Sequence, residues 1–192
     1  MKAKLGRTIS IVGHPFILTP LAVVIATTSM SPQVRALILA LLVAAMGAVA
    51  FYVGRGHRRG DLTDIDVSTR EQRPGVFRVA IGSLCAVMFA LYLTHSSPAA
   101  FRGATVANGL FVVCALVNRR IKASLHCAFA MLAAGIVFPA NMVGGIAFAV
   151  AALVIGWGRV AYKRHTPQEV IVGLILGTIA AGTLVVWLSA LS

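Results

Sequence analysis

His165 and Glu169 stand four residues apart at the mouth of an apolar run, Arg159 precedes the histidine by six positions, and Ser124 and His126 open another apolar run upstream. An imidazole whose tautomer and direction are fixed by a carboxylate is equipped to act as a nucleophile or base. A second imidazole can protonate a departing oxygen, because histidine titrates near neutral pH. Arginine adds a planar fork that grips an oxyanion at two points, a geometry lysine does not reproduce. Together these residue types suit phosphate chemistry at a bilayer surface.

Each residue also has a plain structural reading. Thr166 as N-cap, Pro167 in the first turn and Glu169 three residues after the cap form the pattern of a helix start. Both readings hold together, since a helix N-terminus offers free N–H groups and a positive dipole end to a phosphate. Arg159 doubles as a cation closing a span. Lys122 lies just before Ser124, and an ionisable histidine at a membrane boundary, such as His126, is a functional candidate by default.

These residues resemble the type 2 phosphatidic acid phosphatase superfamily, whose motifs are written KxxxxxxRP, PSGH and SRxxxxxHxxxD. Arg159, His165 and Glu169 fall at the spacing of the third motif, with Gly158 in place of Ser and Glu169 in place of Asp. Ser124-Leu125-His126 matches the second, with Ala123 for Pro and Leu125 for Gly. The first survives as Arg73-Pro74; Asp66 occupies its lysine position, and Arg70 or Lys122 is the candidate replacement. The resemblance implies a phosphatase that uses neither metal nor cofactor. His165 would be phosphorylated transiently, Glu169 would orient it and His126 would be the general acid. Arg73, Arg159 and Ser124 would hold the phosphate oxygens and stabilise the charge of the transition state.

The elements that must position these groups are read from hydropathy. With 59% hydrophobic residues, 11% charged residues and a mean hydropathy of +0.91, the chain is far more apolar than a soluble domain. Apolar runs predict spans at residues 9–29, 33–53, 76–95, 99–117, 123–138, 141–158 and 168–190. The expected fold is an all-α polytopic membrane bundle of about six or seven helices, a single integral membrane domain over residues 1–192. The basic N-terminus precedes a run interrupted by Pro15 and Pro20 and is read as a retained first span rather than a cleaved signal. The fifth and sixth runs are short, and Pro139-Ala140-Asn141 is a tight turn between them.

If every run spans, parity brings the N-terminus and the loops 54–75, 118–122 and 158–168 to one face. All 17 lysines and arginines except Arg35 and Arg102 then lie there, together with the five acids. The positive-inside rule makes that face the cytoplasmic side of the cell membrane. A net charge of +12 suits anionic head groups, and the chain has no soluble module for nucleic acid. The expected partners are therefore the bilayer and a lipid phosphate substrate.

Asp61, Asp64 and Asp66 support a rival reading. Carboxylates can hold Mg²⁺ against a diphosphate, and this cluster resembles the first Asp-rich motif of UbiA-type intramembrane prenyltransferases, although Glu169 is the only acid after Glu71. The preferred account of the cluster is local: Asp66 capping a short helix from Val67, and the acids pairing with Arg58, Arg59 and Arg70. A non-catalytic transporter or scaffold that binds lipid head groups is the third alternative. Cys85, Cys114 and Cys127 lack the close pairing of a zinc or redox motif and are read as packing residues. His14, His57 and His95 have no visible catalytic partner. Gly144, Gly145, Gly173 and Gly177 are expected to permit close helix packing.

Overall fold

The computed structural model describes residues 2–190. Its elements are α1 (Lys2–Val12), α2 (Pro15–Ala26), α3 (Pro32–Arg59), α4 (Arg73–Thr94), α5 (Pro98–Val117), α6 (Leu125–Val137), α7 (Met142–Ala161) and α8 (Pro167–Ser189), with one 3₁₀ turn at Arg70–Gln72. Among the described residues no strand occurs. The helices α3, α4, α5, α7 and α8 are each long and apolar enough to cross a bilayer, so the chain is a multi-pass membrane protein of helical-bundle type. Two compact units divide it. A terminal unit joins the chain up to Ser31 with the segment from Ile121 onward, and a central unit covers Pro32–Arg120.

Two of the expected spans take a different form. The first is broken: α1 and α2 meet at a 41° bend, as one broken span or a re-entrant segment. Pro15 lacks an N–H and has its φ preset, which suits the first turn of a new helix. His14 before it is extended (φ −68°, ψ 138°), and its Nδ1 accepts the Phe16 N–H at 3.2 Å. Pro20, by contrast, is accommodated inside α2. The expected span at 123–138 is α6, only 13 residues long. At about 1.5 Å per residue it covers about 20 Å, short of a hydrocarbon core of about 30 Å. The chain thus has five candidate spans, or six with the bent pair.

Within the terminal unit α6 is enclosed, all but Leu125, Met131 and Ile136 being buried. Ala22 of α2 packs on Ala133 and Val137, while Ala152 and Ile155 of α7 pack on Ala130. Helix α8 comes closest of all, through the expected glycines. A Cβ at Gly173 would sit 2.5 Å from the Ser124 carbonyl oxygen, and one at Gly177 2.5 Å from that of Ala128. The corner before α7 is a turn as expected, with the Asn141 side chain accepting the Gly144 N–H at 2.8 Å.

In the central unit the loop after α3 folds back so that Leu62 and Val67 bury against Val53. No helix begins at Val67, whose φ of 45° is left-handed, so the expected cap by Asp66 is not formed. Asp64 organises the turn instead, accepting from Ser68 N at 3.3 Å and Ser68 Oγ at 3.0 Å. Arg70 pairs with Glu71 at 3.2 Å on a largely exposed surface. His57 lies in the last turn of α3, its Nδ1 3.2 Å from the Leu62 carbonyl oxygen. Cys114 and Cys127 are buried as packing residues, whereas Cys85 is exposed, its Sγ 3.3 Å from Asn108 Nδ2.

Candidate active site

The end of α7 and the start of α8 carry the central residues, and two local motifs bring them together. After α7 the chain reverses through Lys163, which is left-handed (φ 58°). The Lys163 N–H donates to Val160 O at 2.9 Å and the Arg164 N–H to Arg159 O at 3.0 Å, a helix-closing pattern that usually employs glycine. The His165 N–H also reaches Arg159 O, at 3.3 Å. His165 is thereby fastened to the backbone of Arg159.

The helix start then sets the ring. Glu169 N–H donates to Thr166 Oγ1 at 3.3 Å, and Glu169 Oε2 accepts the Thr166 N–H at 3.1 Å, closing the expected capping box. The same Oε2 lies 2.9 Å from His165 Nδ1. A carboxylate only accepts, so Nδ1 carries a ring proton. The His165 side chain is 1% exposed and that of Glu169 19%.

The start of α6 is tied to this turn. Ser124 N–H donates to the Glu169 carbonyl oxygen at 3.0 Å. Lys122 Nζ donates to Arg164 O at 2.9 Å and stands 3.7 Å from Glu169 Oε2. Ser124 is fully buried beside the Cys127 thiol, and its Oγ satisfies no hydrogen-bond geometry among the described residues. His126 is buried with Nε2 3.5 Å from Arg159 Nη1; the guanidinium only donates, so Nε2 accepts and the ring proton lies on Nδ1. Arg159 itself is 1% exposed.

His165, Glu169, Arg159, Ser124, Lys122 and His126 therefore form one connected set in the terminal unit. Arg70 and Arg73 belong to the central unit. There Arg73 is buried with its Nε donating to Val67 O at 3.1 Å, and Arg70 Nη1 donates to Arg120 O at 3.0 Å.

Two residues join the set that sequence reasoning passed over. Helix α1 crosses α7 at paired glycines: a Cβ at Gly6 would lie 2.9 Å from Gly158 O, and a Cβ at Gly158 2.8 Å from Ile9 Cγ2. That crossing accounts for glycine at position 158, where the resembled motif has serine. One turn further along α1, Ser10 Oγ accepts from Arg159 Nη1 at 2.6 Å, and both residues are buried. His14, at the helix break, sets its ring edge-on to His126 with centroids 4.8 Å apart. His14-Pro15 carried a readable helix-start signal inside an apolar run; Ser10 carried none.

The arrangement gathers guanidinium, ammonium and hydroxyl groups and a helix N-terminus beside the Glu169 carboxylate, a set of donors that suits an oxyanion. No protein-family model, curated protein or solved structure matches the chain.

Proposed function

We propose that the chain is an integral membrane phosphatase that releases phosphate from a lipid phosphate monoester or diphosphate through a phosphohistidine. The observation that carries this proposal is the 2.9 Å contact between His165 Nδ1 and Glu169 Oε2 in a buried, cationic setting. With Nδ1 holding the proton, Nε2 attacks phosphorus, and the bond from phosphorus to the lipid oxygen breaks. Arg159, Ser124 and Lys122 bind the phosphate oxygens, aided by the N-terminus of α8. A phosphate between Arg159 and His126 supplies the negative charge that lets His126 carry the second proton needed by the leaving oxygen. Water then cleaves the phosphorus–nitrogen bond, freeing phosphate and restoring the ring.

Phosphatidic acid, phosphatidylglycerol phosphate and polyprenyl diphosphates are the substrate types this chemistry accepts. If α6 also carries the chain across, the Lys/Arg-rich loops share one face, and the positive-inside balance makes that face the cytoplasmic side of the cell membrane. Arg73 and Arg70 lie in the central unit, where Arg73 bonds to Val67 and Arg70 to Glu71 and Arg120, and the proposed phosphate contacts are those of the terminal unit. The Mg²⁺-dependent transferase alternative is less well supported, since Asp64 is engaged by Ser68 within its own loop.

The test is phosphate release by the purified protein from a panel of lipid phosphates in EDTA, with acid-labile, base-stable labelling of His165 sought by rapid quench. Release that survives chelation and vanishes in His165→Ala is expected. Release that requires Mg²⁺, or none at all, would overturn the proposal in favour of the transferase or of a lipid-binding scaffold.

A further inference from the structure

We infer that Ser10, on the first helix, is a positioning residue for Arg159, so that the site extends beyond the three motif segments to the N-terminal helix. This inference deepens the phosphatase proposal and rests on it. A guanidinium fork serves a phosphate only when its plane is fixed, and a long arginine side chain has many rotamers to lose. Arg159 is 1% exposed, so water does not hold it in place. Ser10 Oγ meets Nη1 at 2.6 Å and is itself 4% exposed. A short, charge-assisted bond of this kind is about twice as strong as a neutral one.

The backbone explains why the hydroxyl arrives where it does. The contact of α1 with α7 at Gly6 and Gly158 admits no Cβ on either side, which draws the helices together one turn before Ser10. Beyond Ser10, Gly13 is buried and the helix breaks before His14, whose ring meets His126. Ser10 meets Arg159 and, past the break, the His14 ring meets His126, itself 3.5 Å from Arg159, so both polar side chains reach the same set of residues. The Ser10 hydroxyl makes the bond to Arg159 and no other among the described residues, so it aims the guanidinium without tying it to a further group.

The experiment compares wild type, Ser10→Ala, Ser10→Thr and the exposed control Ile11→Ala for phosphate release from phosphatidic acid in mixed micelles, with thermal midpoints measured in parallel. Loss of one hydrogen bond to a charged group predicts a fall in kcat of about tenfold or more in Ser10→Ala. KM should move much less, the midpoint should drop by only the few degrees that loss of one buried bond brings, and Ser10→Thr, which keeps the hydroxyl, should recover most of the rate. Unaltered kcat in Ser10→Ala, or a loss that Ser10→Thr fails to restore, would overturn the inference. If wild type releases no phosphate, the phosphatase proposal alone has failed. The rise in thermal midpoint with inorganic phosphate then decides about Ser10: a smaller rise in Ser10→Ala supports the aiming of Arg159, and an equal rise refutes it.

Discussion

The terminal and central units both gather ionisable side chains near apolar helices, yet they treat them in opposite ways. In the central unit the bonds are local: Asp61 is exposed, Asp64 bonds to Ser68 a few residues away, Glu71 pairs with Arg70 in solvent reach, and the buried Arg73 donates to Val67 six residues before it. In the terminal unit Ser10, Arg159, His165, His126 and Ser124 are buried and linked across α1, α6, α7 and the start of α8. Burying a charge is costly unless it is paired, and sequence-local bonds are a common way to satisfy a loop. The contrast teaches that residue type alone does not mark a site. Polar groups carried to depth and joined over long sequence distances do.

Substitutions can break this contrast, beginning with the largest effect. His165→Ala should lower phosphate release by about 10⁴-fold or more, because nothing else supplies the nucleophile; a variant retaining a tenth of the activity would remove His165 from the chemistry. Glu169→Gln keeps an oxygen for the Thr166 N–H but no longer holds the ring as a carboxylate does. Its kcat should fall by about a hundredfold or more with little change in thermal midpoint, and steady-state kinetics beside a melting curve would expose a purely structural role.

Packing comes next. Gly173→Val forces a side chain against the Ser124 carbonyl and should cost about 1–3 kcal/mol, read as a lower midpoint in detergent together with lost activity. Asp64→Ala, in the central unit, removes the bonds to Ser68 and should cost about 1 kcal/mol while phosphate release holds. Abolished activity in that variant would return weight to the Mg²⁺-dependent alternative. The smallest effect is a gain. Lys163→Gly relieves left-handed strain of about 1–2 kcal/mol against a glycine entropy cost of about 0.5–1 kcal/mol, a net stabilisation of about 0.5 kcal/mol that denaturant titration can resolve.

Hydropathy made the five long helices legible, because a bilayer demands apolar runs of fixed length. The capping box at Thr166 was legible too, since its partners lie within one turn. The break at Gly13–His14 was less so. The prolines were visible, but a run of apolar residues does not say which proline starts a helix and which is absorbed, and here Pro15 starts one while Pro20 is absorbed. In the loop, Asp66 and Asp64 were equivalent by type, and only the left-handed Val67 decided between them. Ser10 was beyond reach altogether, because its partner lies 149 residues away and only the packing of α1 on α7 introduces them.

The single oxygen Oε2 of Glu169 serves both the Thr166 backbone and the His165 ring. Closing the first turn of α8 and arming the imidazole are therefore the same event. A chain whose last helix has not yet wound its opening turn presents an unoriented ring, so under the proposed reaction newly inserted protein would stay inert until that segment has settled. On warming, fraying at this end should extinguish turnover several degrees before the bundle melts. Comparing the temperature of half-maximal initial rate with the circular-dichroism midpoint would reveal that gap, and coincident curves would show that the turn and the bundle yield together.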